Sequence, residues 1–293
     1  MEEVVLQARA KVNLTMDVLS RRADGYHEVD LLMQSVSLCD TLILRRGESL
    51  SLTIDGGLPV EDNNLILRAA RLLAQDAGVE PCAQMHLEKR VPVAAGLGGG
   101  SGDAAAALAG LNVLWGLHDP QERLQALGAK LGADVPFCLA GGLQRATGIG
   151  TVLTPVQNRL PLHFVILKPC QGLLTKEIFG ALRLDRVARH PDTPGAARAM
   201  ERGDADALIR CMGNVLETVA VPRQPEIEKA MGELMDLGAR HARMSGSGSA
   251  VFGLFDSREA AAQAAQRLKT RYAECFAAES ETCGVKSFGI AGF

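Results

Sequence analysis

Residues 92–107 read P-V-A-A-G-L-G-G-G-S-G-D-A-A-A-A, with five glycines between Gly96 and Gly102 and a run of alanines behind Asp103. Glycine gives up more conformational freedom on folding than any other residue, so a run this dense is costly to order without something to order it. Alanine is the best helix former. A side-chain-free loop that opens into a helix exposes backbone N–H groups at the positive end of the helix dipole. Such a place binds anions, phosphate above all. The stretch therefore demands a strand leading in, a loop, and a helix leading out, with an anion at the junction.

The rest of the chain narrows the class. Its 293 residues suit one large or two ordinary domains, and 47% hydrophobic with 22% charged residues is the composition of a globular protein. A net charge of −3 gives no reason to expect nucleic acid or a membrane surface as partner. Residues 1–10 are acidic and strand-like rather than a signal peptide, and no apolar run approaches the ~20 residues of a membrane span. The seven cysteines are odd in number and form no C-x-x-C, which fits reduced thiols in a cytoplasmic protein. No group of histidines has metal-ligand spacing. A small anionic ligand is the expected partner, and a homodimer is left open.

Along the chain, Val4–Val18 alternates apolar and polar residues, the mark of a half-buried strand. The alternation puts Lys11, Asn13 and Thr15 on one face, roughly 7 Å apart per step of two. That face is either solvated or turned to a ligand. Asp24-Gly25 signals a turn, and Tyr26-His27 stands at the mouth of the next strand, over 28–38. An aromatic ring beside an imidazole can stack on a planar base and hydrogen-bond its edge, or simply cover a hairpin. Short strands are expected over 40–46 and 50–54, then a helix over 65–77 capped from Asp62-Asn63-Asn64 and stopped by Gly78. A strand over 85–91 leads to the glycine loop, and the helix after it runs from Asp103 or Ala104 to about Trp115, with Asp103 as its cap. Asp119-Pro120 reads as N-cap and N1 of a helix ending near Leu131-Gly132. Asp134, between that helix stop and Pro136, reads by itself as a turn or capping residue. The chain loosens over 151–160, so the domains are placed at 1–157 and 158–293. Beyond lie a buried strand over 162–167, helices over 175–184, 204–217, 225–237 and 257–272, a Ser/Gly loop and strand over 243–255, and a last strand over 286–293. The connection 184–194 has no regular pattern. Strands and helices together make an α+β chain.

The glycine loop by itself admits three readings. A P-loop needs Lys-Ser or Lys-Thr at its end and none is present. Gly100-Ser101-Gly102-Asp103-Ala104-Ala105 satisfies the short dinucleotide fingerprint G-x-G-x-x-A, but with further glycines running upstream to Gly96. A loop of structural glycines is the third.

P-x-x-x-G-L-G-G-G-S-x-x-A-A resembles the central ATP-binding motif of the GHMP kinases. Three further stretches, A-K-V-N-L at 10–14, R-A-D-G-Y-H-E at 22–28 and L-G-A-D-V-P at 131–136, are similar to the branch of that family that phosphorylates 4-diphosphocytidyl-2-C-methyl-D-erythritol. Ser245–Ser249 resembles the third, C-terminal motif, so the resemblance spans nearly the whole chain in family order. It implies a two-domain α+β fold, an N-terminal ATP-binding domain and a ferredoxin-like C-terminal one, with the site between them. It implies ATP on the loop formed by Pro92, Val93, Ala94, Ala95, Gly96, Leu97, Gly98, Gly99, Gly100, Ser101 and Gly102, with Asn64 on the adenine side. Lys11 and Asp134 map to the family's catalytic pair, Asp134 taking the proton of the attacking alcohol and Lys11 steadying the developing charge. Asn13 would hydrogen-bond the substrate. Tyr26 and His27 would stack on and read its cytosine, with Phe179 as the second aromatic and Thr175 a nearby polar contact. Mg²⁺ is implied with the nucleotide, carried by its phosphates rather than by a protein carboxylate cage. Where the family pattern leads one to expect a second serine, this chain has Gly102, and altered ATP affinity is the expected consequence.

Overall fold

The protein is described by a computed structural model covering residues 2–57 and 60–288. Two long strands, β1 (Glu3–Arg21) and β2 (His27–Arg45), form an antiparallel hairpin paired from Glu3↔Arg45 to Arg21↔His27. Gly25, at φ 88°, and the Asp24 carboxylate, which accepts from the Tyr26 N–H at 3.0 Å, make the turn. β2 runs unbroken where the sequence suggested two strands. At the expected break stands Asp40, fully buried, whose Oδ1 accepts from the Arg90 and Val91 N–H groups at 2.6 and 2.8 Å. A polar residue inside a strand looks like an end until its partners, fifty positions away, are seen.

β1 also departs from simple alternation. Leu6 and Ala8 pack toward the long central helix, whereas Ala10, Val12 and Leu14 join a cluster with Phe164, Ile166 and Phe252. Register shifts between Arg9 and Ala10 and again between Asn13 and Thr15 allow this exchange of faces. Lys11 and Asn13 are thereby turned out of the apolar layer. Thr15 does not share their face as expected: its hydroxyl pairs with Thr193 at 2.9 Å and accepts from the Leu32 N–H.

The hairpin is the centre of an eight-stranded sheet. β3 (Leu50–Ile54) and β4 (Ala83–Glu88) extend it beyond β2, and β5 (Leu143–Gly148) with β6 (Val152–Pro155) continues on β2's other end. β6 lies inside 151–160, where the sequence read as loosening, and pairs with β5 as a hairpin. Two segments from late in the chain, β8 (Gly213–Asn214) and β12 (Val285–Phe288), complete the sheet along β1. The rest of the expected last strand, 289–293, lies outside the described residues.

Helices α1 (Leu65–Ala77), α2 (Gly99–Leu114), α3 (Gln121–Leu131) and α4 (Val135–Ala140) cover one face. Asn64 and Gly78 cap α1 as expected, the Asn64 side chain accepting from the Ile66 N–H at 2.9 Å. α2 is buried along nearly its whole length, which its alanines and Gly110 permit: a Cβ on Gly110 would overlap Leu6 and Leu44 of the hairpin. Pro120 rather than Asp119 holds the N-cap position of α3, and Asp119 exchanges hydrogen bonds with Asn112 instead.

A second sheet has the order β11 (Cys275–Glu279), β7 (His163–Leu167), β10 (Val251–Phe255), β9 (His241–Met244), all antiparallel. α9 (Glu226–Asp236) and α10 (Arg258–Leu268) pack on it, giving the ferredoxin-like β-α-β-β-α-β arrangement. Between β7 and α9 the chain makes α5 (Thr175–Ala181), α6 (Thr193–Arg202), α7 (Ala205–Cys211) and α8 (Glu217–Arg223). The helix expected over 204–217 ends at Cys211 and gives way to β8, with α8 starting only at Glu217, and β11 and α6 stand where no element was expected. Among the described residues no parallel β-α-β unit follows the glycine loop: α2 leads into α3, and β4's parallel neighbour is β3, which precedes it. That removes the dinucleotide reading, which needs such a unit.

Candidate active site

α2 starts at Gly99, inside the glycine run and four residues before the expected start. Its N-cap is Gly98, at φ 71°, which has no side chain to cap the helix. The first intrahelical bond is Gly102 N–H to Gly98 O at 2.8 Å, so the N–H groups of the preceding turn are left for a ligand. The loop itself is held rigidly. Lys11 N–H donates to Leu97 O at 2.9 Å, Ala250 N–H to Ala95 O at 3.0 Å, and the Ser245 hydroxyl to Gly96 O at 2.9 Å. Lys168 Nζ donates to Val93 O at 2.9 Å. Pro92, Ala95 and Leu97 anchor it by burial, while Val93, Ala94 and Gly100 face outward. Leu65 at the start of α1 approaches Gly100, which brings Asn64 beside the loop.

Two residues of the motif differ from expectation. A Cβ on Gly102 would stand 3.2 Å from the Arg9 carbonyl oxygen, so a serine here would turn its hydroxyl to β1 and not to a nucleotide. Asp103 is no cap. It lies inside α2, buried, with Oδ2 3.2 Å from Lys89 Nζ, and Lys89 also pairs with Asp40. Burial pushes the Asp103 carboxyl well above the usual carboxylate range, with Asp40 adding to it and Lys89 opposing it. The side chain is thus turned away from the loop's mouth. Ser101 points to the turn that carries Asp134, its hydroxyl 3.9 Å from where Gly132 would bear a Cβ.

Lys11 and Asp134, 123 positions apart by their numbers, meet here. Lys11 Nζ donates to Asn13 Oδ1 at 2.6 Å and stands 3.6 Å from Asp134 Oδ2. The lysine side chain is 5% exposed and the aspartate 35%, so the ammonium is seated and the carboxylate reaches solvent. Asp134 occupies the N-cap position of α4, but its side chain makes no capping bond. Asn13 Nδ2 is buried with no partner among the described residues. A buried donor without a partner is costly unless a ligand completes it.

The aromatic end is reached through α5. Thr175 Oγ1 lies 2.8 Å from Ser247 Oγ, in the Ser/Gly loop 245–249 that also borders Lys11. One helical turn on, about 6 Å by helix rise, Phe179 meets His27 with ring centroids 5.2 Å apart at 43°. These two rings touch and leave no gap for a base between them. Tyr26 is 61% exposed beside them. Burial, with Arg21 second, lowers the His27 pKa, so the neutral ring has one donor and one acceptor nitrogen at neutral pH. Sequence reasoning noted the 245–249 loop as a motif but took none of its residues into the site. Asn214, which holds that loop, gave no sequence signal at all. Among the described residues no group of three or more His, Cys, Asp or Glu side chains could hold a metal ion, and no helix is long and apolar enough to cross a membrane.

Comparison with known proteins gives a consistent picture. Residues 64–142 match the family described as GHMP kinases N terminal domain, and residues 196–274 the family described as GHMP kinases C terminal. A protein of Alkaliphilus metalliredigens named 4-diphosphocytidyl-2-C-methyl-D-erythritol kinase is 38% identical over 283 residues, covering 96% of this chain and 97% of that one. One of the same name from Pelotomaculum thermopropionicum is 44% identical over 265 residues, covering 89% and 92%. A crystal structure of 4-(cytidine 5'-diphospho)-2C-methyl-D-erythritol kinase superposes with a TM-score of 0.81 at 36% identity, covering 94% of this chain and 98% of that one. A homoserine kinase from Cytophaga hutchinsonii shares the fold, with a TM-score of 0.76 at 20% identity over 98% of both chains.

Proposed function

This chain belongs to the 4-diphosphocytidyl-2-C-methyl-D-erythritol kinases of the GHMP kinase family, and from that membership we propose how its residues carry out the reaction. The enzyme uses ATP to phosphorylate the 2-hydroxyl of the cytidylated methylerythritol in the non-mevalonate isoprenoid pathway, releasing ADP and the 2-phosphate. The observation that carries the residue assignment is the seated ammonium of Lys11 3.6 Å from the open carboxylate of Asp134, beside a helix start that lacks a cap.

ATP lies along residues 92–102, its phosphates facing the free N–H groups at the start of α2 and its adenine toward Asn64. The acceptor alcohol sits at Asp134. As its oxygen bonds to the γ-phosphorus, the bond from phosphorus to the ADP oxygen breaks and the alcohol proton passes to Asp134. Phosphoryl transfer has a loose transition state, so alignment and charge stabilisation supply most of the catalysis. Lys11 supplies charge to the transferring group, and the free Asn13 amide donates to the substrate. Mg²⁺ would be held by the nucleotide's own phosphates and not by a carboxylate cage among the described residues, and would offset their charge. Tyr26 and Phe179 stack on the cytosine, His27 reads its edge, and Thr175 lies along the path between base and acceptor. Residues 1–157 form the ATP-holding domain, to which 158–293 add α5 and the Ser/Gly loop. The free cysteines fit a cytoplasmic setting.

A coupled assay of ADP release with the cytidylated methylerythritol, homoserine and mevalonate as acceptors tests the substrate. Turnover confined to the first supports the reading; equal or greater turnover with either of the others overturns it.

A further inference from the structure

We infer that Asn214 is a positioning residue for phosphoryl transfer: it holds the 245–249 loop against Lys11 and so fixes the acceptor side of the site. This rests on the roles given above to Lys11 and Asp134. Asn214 is buried on β8, the two-residue strand paired in parallel with β1 at Met16. Its side-chain Nδ2 donates to Met244 O at 2.9 Å and to Gly246 O at 2.8 Å, while Oδ1 accepts from the Leu216 N–H at 2.9 Å. The amide offers two N–H donors and both are used, on two carbonyls one residue apart on either side of Ser245.

Those carbonyls set the loop's path. Gly246 adopts φ 56°, and a Cβ there would lie 3.4 Å from Lys11 Nζ and 3.0 Å from Gly96 O. Ser245 between them bonds Gly96 O and the Asn13 N–H. Asn214 therefore joins the two: its backbone pairs with β1, which carries Lys11 and Asn13, and its side chain holds the loop that lies against them. The loop also touches Thr175 through Ser247, which leads to the aromatic end. Asn214 touches none of the proposed reacting atoms, so its effect passes through Lys11. Glu217 supports the same loop by accepting from the Met244 N–H at 2.9 Å and facing Arg243 at 3.8 Å.

Replacing the amide by a carboxyl separates positioning from mere packing. In Asn214→Asp the two carbonyls face an acceptor when the new carboxyl is ionised and regain one donor when it is protonated. The charged groups on the elements around the loop are Lys11 on β1 with Asp134 at α4's N-cap 3.6 Å from it, Glu217 on α8 and Arg243 on β9, all present in the unaltered protein too, whose own pH profile is the reference. The expected result is a kcat on the order of 10–100-fold lower at pH 8, ATP affinity unchanged, and a deficit that shrinks toward pH 6. Asn214→Ser, which keeps the fold with one donor, should lower kcat without the added pH dependence. Unchanged kcat in both variants, a deficit in Asn214→Asp that is flat with pH, or loss of ATP binding in step with kcat overturns the inference. Asp134→Asn is run alongside: if it retains turnover, the underlying reading of the site fails, whereas its inactivity beside active Asn214 variants removes the positioning role alone.

Discussion

The Ser245 hydroxyl donates a 2.9 Å hydrogen bond to the carbonyl oxygen of Gly96, 149 positions earlier, and joins the two glycine loops. The contact is so close that Gly96, at φ 76°, leaves no room for a methyl group: a Cβ would overlap the Ser245 carbonyl. Gly96→Ala therefore meets both a left-handed backbone and a steric overlap. A stability loss of ~1–3 kcal/mol from the backbone alone, with further loss from the clash, should appear as a lower thermal midpoint together with weaker ATP binding. A midpoint equal to wild type would show that the loops are not locked at this point.

Gly102→Ser should do little by comparison. Its Cβ would meet Arg9 O at 3.2 Å, an adjustment of a few tenths of an ångström, and the hydroxyl would face β1. KM for ATP should stay within about twofold, under ~0.5 kcal/mol. A larger drop in KM would restore the idea that a serine here reaches the nucleotide.

Asp134→Asn keeps the shape of the side chain and removes its basicity. Loss of a positioned general base typically costs ~10²–10⁴ in rate, so kcat should fall by that order while ATP binding, measured by calorimetry, persists. Turnover near wild type would exclude Asp134 as the base.

Phe179→Ala removes the ring against which His27 leans. Stacking of a base on an aromatic side chain is worth ~1–3 kcal/mol, so KM for the cytidylated acceptor should rise about 5- to 150-fold with KM for ATP unchanged. Equal changes in both constants would place the ring outside the acceptor site.

The His241 imidazole is held down to about 4, chiefly by burial and then by Arg243 and Arg189. Its unfolded value is ~6.5. Between those values the unfolded chain binds the proton and the folded one does not, so stability falls as pH drops through that window. The loss is at most about 3 kcal/mol, reduced by the partial exposure of the ring. His241→Gln should flatten the thermal midpoint between pH 6.5 and 4; an unchanged slope would mean that other groups dominate.

How much of this was legible in the residues varies from element to element. α1 and its caps, β7 and α9 follow from local periodicity and turn chemistry, and their bounds agree closely with expectation. α2 was expected to start later because glycine has poor intrinsic helix propensity; it begins at Gly99, where packing against β1 at Gly102 overrides that preference. β8 carries no local signal, since two residues show no period; it exists because β1 offers an open edge at Thr15 and Met16. Asp103 looked like a cap because acidic residues favour helix starts, and Lys89 and Asp40 claimed it instead.

The sequence by itself determined the family and the glycine loop, and supplied the residue types proposed for transfer: a lysine, an aspartate, glycines and aromatic rings at family spacing. What it could not determine is direction. Alternation along β1 put Lys11, Asn13 and Thr15 on one face, and two register shifts sent Thr15 to Thr193 and Lys11 to Asp134. Register is set by pairing with distant strands, and a one-residue slip reverses every side chain that follows. For that physical reason the loop could be read from its own residues, while the ammonium and carboxylate proposed to act beside it were brought together only by the tertiary fold.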